Sequence, residues 1–176
     1  MGNPKICSSD RNNLINIFVT HPDPVISAWS LDDKRVIKMI LESAQLLSTA
    51  LFLHKGEIAG LYKPSHINHP CTKWVTRNQS NFGWLTEHAF ALCCVYQTAY
   101  DKRHKSSDVI ELAAHLIQYL PPGELSPFEN CTPFKDRPDV INNYKQYLNS
   151  KWDSDKLKPT WKNRVPPIFK SPKVLH

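Results

Sequence analysis

Lys38, Glu42 and Gln45 follow one another at spacings of four and three, so on a helix they share one face. Left in solvent, Lys38 and Glu42 would form an i,i+4 ion pair worth about 0.3–0.5 kcal/mol and no more. Covered by another element, the same carboxylate beside cations becomes a general acid or base, or steadies a positive charge that develops during a reaction. The groups able to converge on that face are His21 and Asp23 from the preceding segment, Arg35, and His69.

A second group of reactive side chains lies in residues 66–74, "HINHPCTKW". Zinc takes imidazole nitrogens and thiolates in a tetrahedron. His66, His69 and Cys71 offer three such ligands, with His21, His88 or His104 as a fourth. The spacing matches no standard structural-zinc pattern, and Pro70 restricts the backbone between the donors. The competing reading is a helix entry: Asn68 or His69 caps, Pro70 is the first helical residue, and Trp74 enters the core. The chain contains no nucleophile elbow, P-loop or dinucleotide fingerprint, which disfavours nucleotide-cofactor enzymes.

The elements that must position these groups are helical. "INIFVTH" (15–21) reads as a short extended run, closed by "HPDP", where Asp23 caps and Pro24 opens a short helix. Ser30 and Asp33 suggest a capping box before a helix of about six turns. Its apolar stripe is Val36, Ile40, Ala44, Leu47 and Leu51, widened by Ile37, Leu41 and Leu46. Lys34, Lys38, Glu42, Gln45 and Thr49 form the polar stripe. A long helix follows from a Ser80 or Asn81 cap to about His104, another from Asp108 to Leu120, and a last one from Pro138 or Asp139. Residues 121–138 are rich in proline and read as irregular. The expected architecture is all-α: a compact single-domain helical bundle at 14–157, a flexible leader at 1–13, and a basic, proline-rich tail at 158–176 packed on the domain.

Composition agrees with a folded chain: 41% hydrophobic and 22% charged residues over 176 positions. No apolar run reaches the roughly 18 residues of a membrane span. The start "MGNPKICSSDRNN" has no apolar core of a signal peptide, and Ile6 replaces the Ser or Thr of a myristoylation pattern. Five cysteines without a C-x-x-C pair, two of them adjacent in an apolar helix, suit a reducing compartment, hence the cytoplasm (a host cell's, if phage-encoded). The net charge is +6, and seven cations against two acids fall in the last 26 residues. Cations interleaved with Trp161 and Phe169 fit phosphates and unpaired bases. They equally fit a tail strapped across the domain.

Taken in order, "INIFVTHPDPVISAW", "RVIKMILESAQLL", "YKPSHINHPCTKW", "NFGWL", "YDKRHK" and "KPTWKNR" resemble a group of small phage and viral proteins. They also resemble, more distantly, the pyrimidine-dimer DNA glycosylases of the endonuclease V type. The ordered likeness covers about residues 15–105, with an echo at 158–164. It implies a compact all-α fold and cleavage of a glycosidic bond through a Schiff base formed by an amine. By that likeness Glu42 falls on the catalytic glutamate, and His69 with Pro70 on a loop of the site wall. Lys38 and His21 complete the candidate catalytic group. Lys34, Arg35, Gln45, Lys73, Arg77, Trp161, Lys162 and Arg164 are the DNA-binding candidates. The implied partner is a damaged or modified DNA duplex, met by a monomer without membrane, nucleotide cofactor or metal. The family's nucleophile is its own α-amino group, whereas here about 13 residues precede the matching run. The amine is then Gly2 folding back, a terminus freed by cleavage, or a lysine such as Lys38. Two other readings remain beside the glycosylase: a DNA-binding accessory protein of the same fold without catalysis, and a metal-dependent hydrolase built on His66, His69 and Cys71.

Overall fold

A computed structural model describes residues 15–172, so the expected leader, with Gly2, lies outside the described residues. The elements are α1 (Pro24–Ser30), α2 (Asp33–Lys55), α3 (Pro70–Thr76), α4 (Gln79–Tyr100), α5 (Ser107–Ala114) and α6 (Val140–Ser154), with a 3-10 turn at Ile117–Tyr119. There is no strand among the described residues. The 15–20 run forms no strand, and its extension is interrupted by Phe18 at a positive φ.

α2 is the central helix, packed on α3, α4 and α5, while α1 lies on α4. Its five-residue apolar stripe and Leu46 are buried as the periodicity requires. Ile37 and Leu41 are not: each is 40% exposed, so the buried face is narrower than expected. By length and mean hydropathy (1.5) α2 would suit a membrane, yet 67% of that apolar stretch is buried inside the bundle. Tyr144, Leu148 and Trp152 of α6 join the same core.

Helix starts follow local chemistry, with three corrections. As expected, the Asp23 carboxylate accepts from the N–H groups of Val25 and Ile26 ahead of Pro24. The Asp139 carboxylate accepts from the Asn142 N–H. α4 is capped by Asn78 rather than Ser80 or Asn81, because the Asn81 amide is buried between the Trp74 carbonyl and the Ser126 N–H. α5 starts after Ser106, and it ends at Ala114, where the chain tightens into the 3-10 turn ahead of Pro121. α4 itself stops at Tyr100, with Asp101 in the left-handed region.

No capping box forms at α2. Asp32 occupies the cap position, but its carboxylate turns to Arg35 at 3.1 Å and to the Trp152 indole N–H at 2.7 Å. The tail does the capping instead. The Asp33 N–H donates to the Thr160 carbonyl, and the Asp33 carboxylate accepts from the Thr160 hydroxyl, the Lys162 N–H and Arg164. Trp161 packs edge-on against Trp152, and its indole N–H donates to the Ser30 carbonyl. The tail is thus a strap tied to the first turn of the central helix, where the helix dipole favours the carboxylate.

Candidate active site

Glu42 lies midway along α2 and is only 6% exposed. One carboxylate oxygen accepts from the backbone N–H of Asn16 at 2.9 Å, and the other lies 3.4 Å from the Lys38 ammonium. Lys38 is half exposed, so it bridges the buried acid and solvent. Burial raises the Glu42 pKa above the ordinary carboxylate value, against the downward pull of the Asn16 amide and Lys38. A buried carboxyl with such a small set of charge-stabilising partners exchanges protons nearer neutrality than a surface glutamate does.

Asn16 reaches Glu42 because its own side chain turns the backbone. Its side-chain oxygen accepts from the N–H groups of Ile17 and Phe18, and Phe18 takes a positive φ of 60°. That conformation is costly for a bulky residue and is held here by packing between Tyr144 and Tyr147. The Asn16 amide group also donates to the Cys131 carbonyl at 3.3 Å. The extended run is therefore the element that covers the face of Glu42.

Behind this carboxylate lies a sulfur-rich wall. His69 caps α3 as expected, its Nδ1 accepting from the Cys71 N–H at 3.1 Å, and burial lowers its pKa. The Cys71 and Cys131 sulfurs are 3.4 Å apart, and His69 offers a nitrogen within 4.8 Å of both. The sequence expectation joined His66 to His69 and Cys71; the structure joins Cys131 in its place. The expected fourth ligands are engaged elsewhere. His21 Nδ1 accepts from the Asp23 N–H, and His104 Nδ1 from the Ser106 N–H. His88 is fully buried, bonded through Nδ1 to the Pro24 carbonyl and stacked on Trp84. Two of the catalytic candidates, Glu42 and Lys38, are in direct contact; His69 stands in the wall; His21 lines a separate apolar cavity of about 510 Å³ with Trp29 and Phe169.

The extended run and the central helix thus meet at one buried acid, with Cys71 near it. A family model described as pyrimidine dimer DNA glycosylase matches residues 15–107, just over half of the chain. The chain belongs to the pyrimidine dimer DNA glycosylase family. No curated protein and no solved structure matches it. The family match begins at the residue before Asn16 and takes in Lys38, Glu42, His69 and Cys71, but not Cys131 or the strap.

The DNA-binding candidates divide by exposure. Lys34, Lys73, Arg77 and Lys162 are exposed, Gln45 partly so. Lys34 and Lys38 line a cleft of about 640 Å³ together with Ile37, Tyr100 and Lys158, which accounts for the unburied Ile37. Arg35, Trp161 and Arg164 are held inside the fold. Arg35 is 6% exposed and paired with Asp32 and Asp155. The Arg164 side chain is 2% exposed and spans Asp33 and the carbonyls of Trp29 and Leu31. Sequence reasoning missed Asn16 and Cys131. Asn16 acts through its backbone, which no side-chain pattern reports, and Cys131 sits 60 residues from its partner.

Proposed function

We propose that this family member is a DNA glycosylase with an abasic-lyase step, acting on damaged or modified pyrimidines in duplex DNA, with Glu42 as its acid and Lys38 as its amine. The observation that carries the reading is the buried Glu42 with Lys38 at 3.4 Å, inside the segment the family model matches. Glu42, its proton affinity raised by burial, takes the proton that makes the Lys38 amine nucleophilic. The Lys38 nitrogen then bonds to the sugar C1′ while the C1′–pyrimidine bond breaks. The electron pair leaves with the pyrimidine, which takes up a proton. The C1′–O4′ bond then breaks, O4′ taking the proton held by Glu42; the iminium left at C1′ is stabilised by the restored Glu42 carboxylate, and loss of a C2′ proton expels the 3′ phosphate. Lys34, Lys73, Arg77 and Lys162, with the partly exposed Gln45, are the groups suited to the duplex backbone, and lesion selection rests on extruding the poorly stacked base.

The second reading is a DNA-binding protein of the same fold without turnover. It is favoured by one detail: the nitrogen nearest the Glu42 carboxylate, at 2.9 Å against 3.4 Å for Lys38, is the Asn16 backbone amide, whose lone pair is delocalised and does not attack carbon. Borohydride trapping separates the two. The protein is incubated with ultraviolet-irradiated or abasic duplex, reduced, and digested for peptide mass mapping. The glycosylase reading expects an adduct on Lys38 that Lys38→Met abolishes. An adduct within residues 1–14 keeps the imine but moves the amine to another nitrogen. No adduct, with a known glycosylase trapping in parallel, leaves the binding protein.

A further inference from the structure

Cys71 and Cys131 come from elements far apart in sequence, yet their sulfurs are 3.4 Å apart and both are free thiols. His69 makes a three-donor cluster with them, which invites a metal. The histidine does not supply a lone pair to it, however. Its Nδ1 accepts the Cys71 N–H, so the neutral ring carries its proton on Nε2, and both nitrogens are engaged or protonated. A metal would have to break the α3 cap to recruit this residue. What remains is a pair of sulfurs.

We propose that Cys71 and Cys131 are a redox-modification site, closing to a reversible disulfide when a hydroperoxide reaches Cys131. The two thiols are unequal in the way such chemistry requires. Cys71 is 1% exposed and Cys131 is partly open to solvent. Either sulfur can donate across the contact; its effect is to lower the Cys131 pKa and raise that of Cys71, with Lys135 adding to the first and burial to the second. The exposed partner is thus the nucleophile and the buried one the resolving thiol. The Cys131 thiolate attacks the peroxide: an S–O bond forms, the O–O bond breaks, and the departing hydroxide or alkoxide takes a proton. Cys71 sulfur then attacks the sulfenic sulfur; the S–S bond forms, the S–O bond breaks, and hydroxide leaves with the Cys71 proton as water. The sulfurs must approach by about 1.4 Å to reach bonding distance. Cys131 sits in irregular backbone between the 3-10 turn and α6.

The site is independent of the proposed glycosylase chemistry, but it adjoins the same acid. The Cys131 carbonyl holds the Asn16 side chain, and the Asn16 N–H holds Glu42. A disulfide would fix the proline-rich segment on α3 and clamp this chain of contacts. In a reducing compartment it would form transiently, as a sensor rather than a staple.

The test treats the reduced full-length chain with hydrogen peroxide, blocks free thiols by alkylation, and maps disulfide-linked peptides by mass. The expected result is a Cys71–Cys131 linked peptide, lighter by two hydrogens, that dithiothreitol reverses and Cys131→Ser abolishes. Exposed Cys94 serves as the comparison, alkylated under the same dose. Cys71 remaining fully alkylatable while other cysteines oxidise overturns the proposal. So does one zinc per chain bound by the purified protein and protecting both sulfurs from peroxide.

Discussion

α2 carries two buried carboxylates nine residues apart, and they are treated in opposite ways. Asp33, in the first turn, accepts from a hydroxyl, a backbone N–H and the buried Arg164 guanidinium, the last at 2.7 Å. Glu42, in the middle of the helix, has one backbone amide and a half-exposed lysine. Asp33 also sits where the helix dipole favours negative charge, a benefit that fades within the first turn and does not extend to Glu42. A carboxylate saturated in this way fastens structure. One buried with so few partners is left with unspent affinity for protons and cations. The contrast, more than burial itself, is the reason we propose Glu42 as the chemical group.

The comparison can be broken by mutation. Asp33→Asn leaves Arg164 buried without its counter-charge, and breaking such a pair costs about 3–5 kcal/mol; urea unfolding of the variant should show that loss, whereas an unchanged midpoint would demote the strap. A third buried group, His88, sharpens the picture through pH. Burial lowers its pKa from the usual 6.5 to about 4, despite the Pro24 and Ile17 carbonyls. Between those values the unfolded chain takes up a proton the folded one refuses. Its stabilising effect is therefore complete above pH 6.5 and lost as pH falls toward 4, a change of about 3 kcal/mol. Melting curves across that window should show the slope, and His88→Gln should flatten it. Glu42→Gln removes a buried charge but keeps an acceptor for the Asn16 N–H, so unfolding should shift by less than about 1 kcal/mol, toward greater stability. Lys38→Met removes a half-exposed pair and should cost only about 0.3–0.5 kcal/mol, within the scatter of replicate unfolding curves.

Much of this was written locally. The order of helices follows from apolar spacing, and Asp23–Pro24, His69–Pro70 and Asp139 announce three helix starts by their own chemistry. Glu42 was legible because Lys38, Glu42 and Gln45 share a face. Which part of that face would be covered was not, since the covering group is a backbone N–H set by a turn at Asn16. Asp33 read as a cap because its true partners lie more than 120 residues away in the tail. Trp161 and Arg164 carry the composition of a nucleic-acid tail and the geometry of a strap, and composition alone does not separate the two. Cys131 looked like one odd cysteine in a proline-rich stretch, because only the fold brings it to Cys71.

The central claim is that Glu42 does chemistry that Asp33 does not. Single-turnover cleavage of ultraviolet-irradiated duplex by Glu42→Gln, with duplex affinity measured alongside, tests it most directly. The account predicts a rate lower by about 10²–10⁴-fold at unchanged affinity. Cleavage within a few-fold of the unsubstituted protein would contradict it.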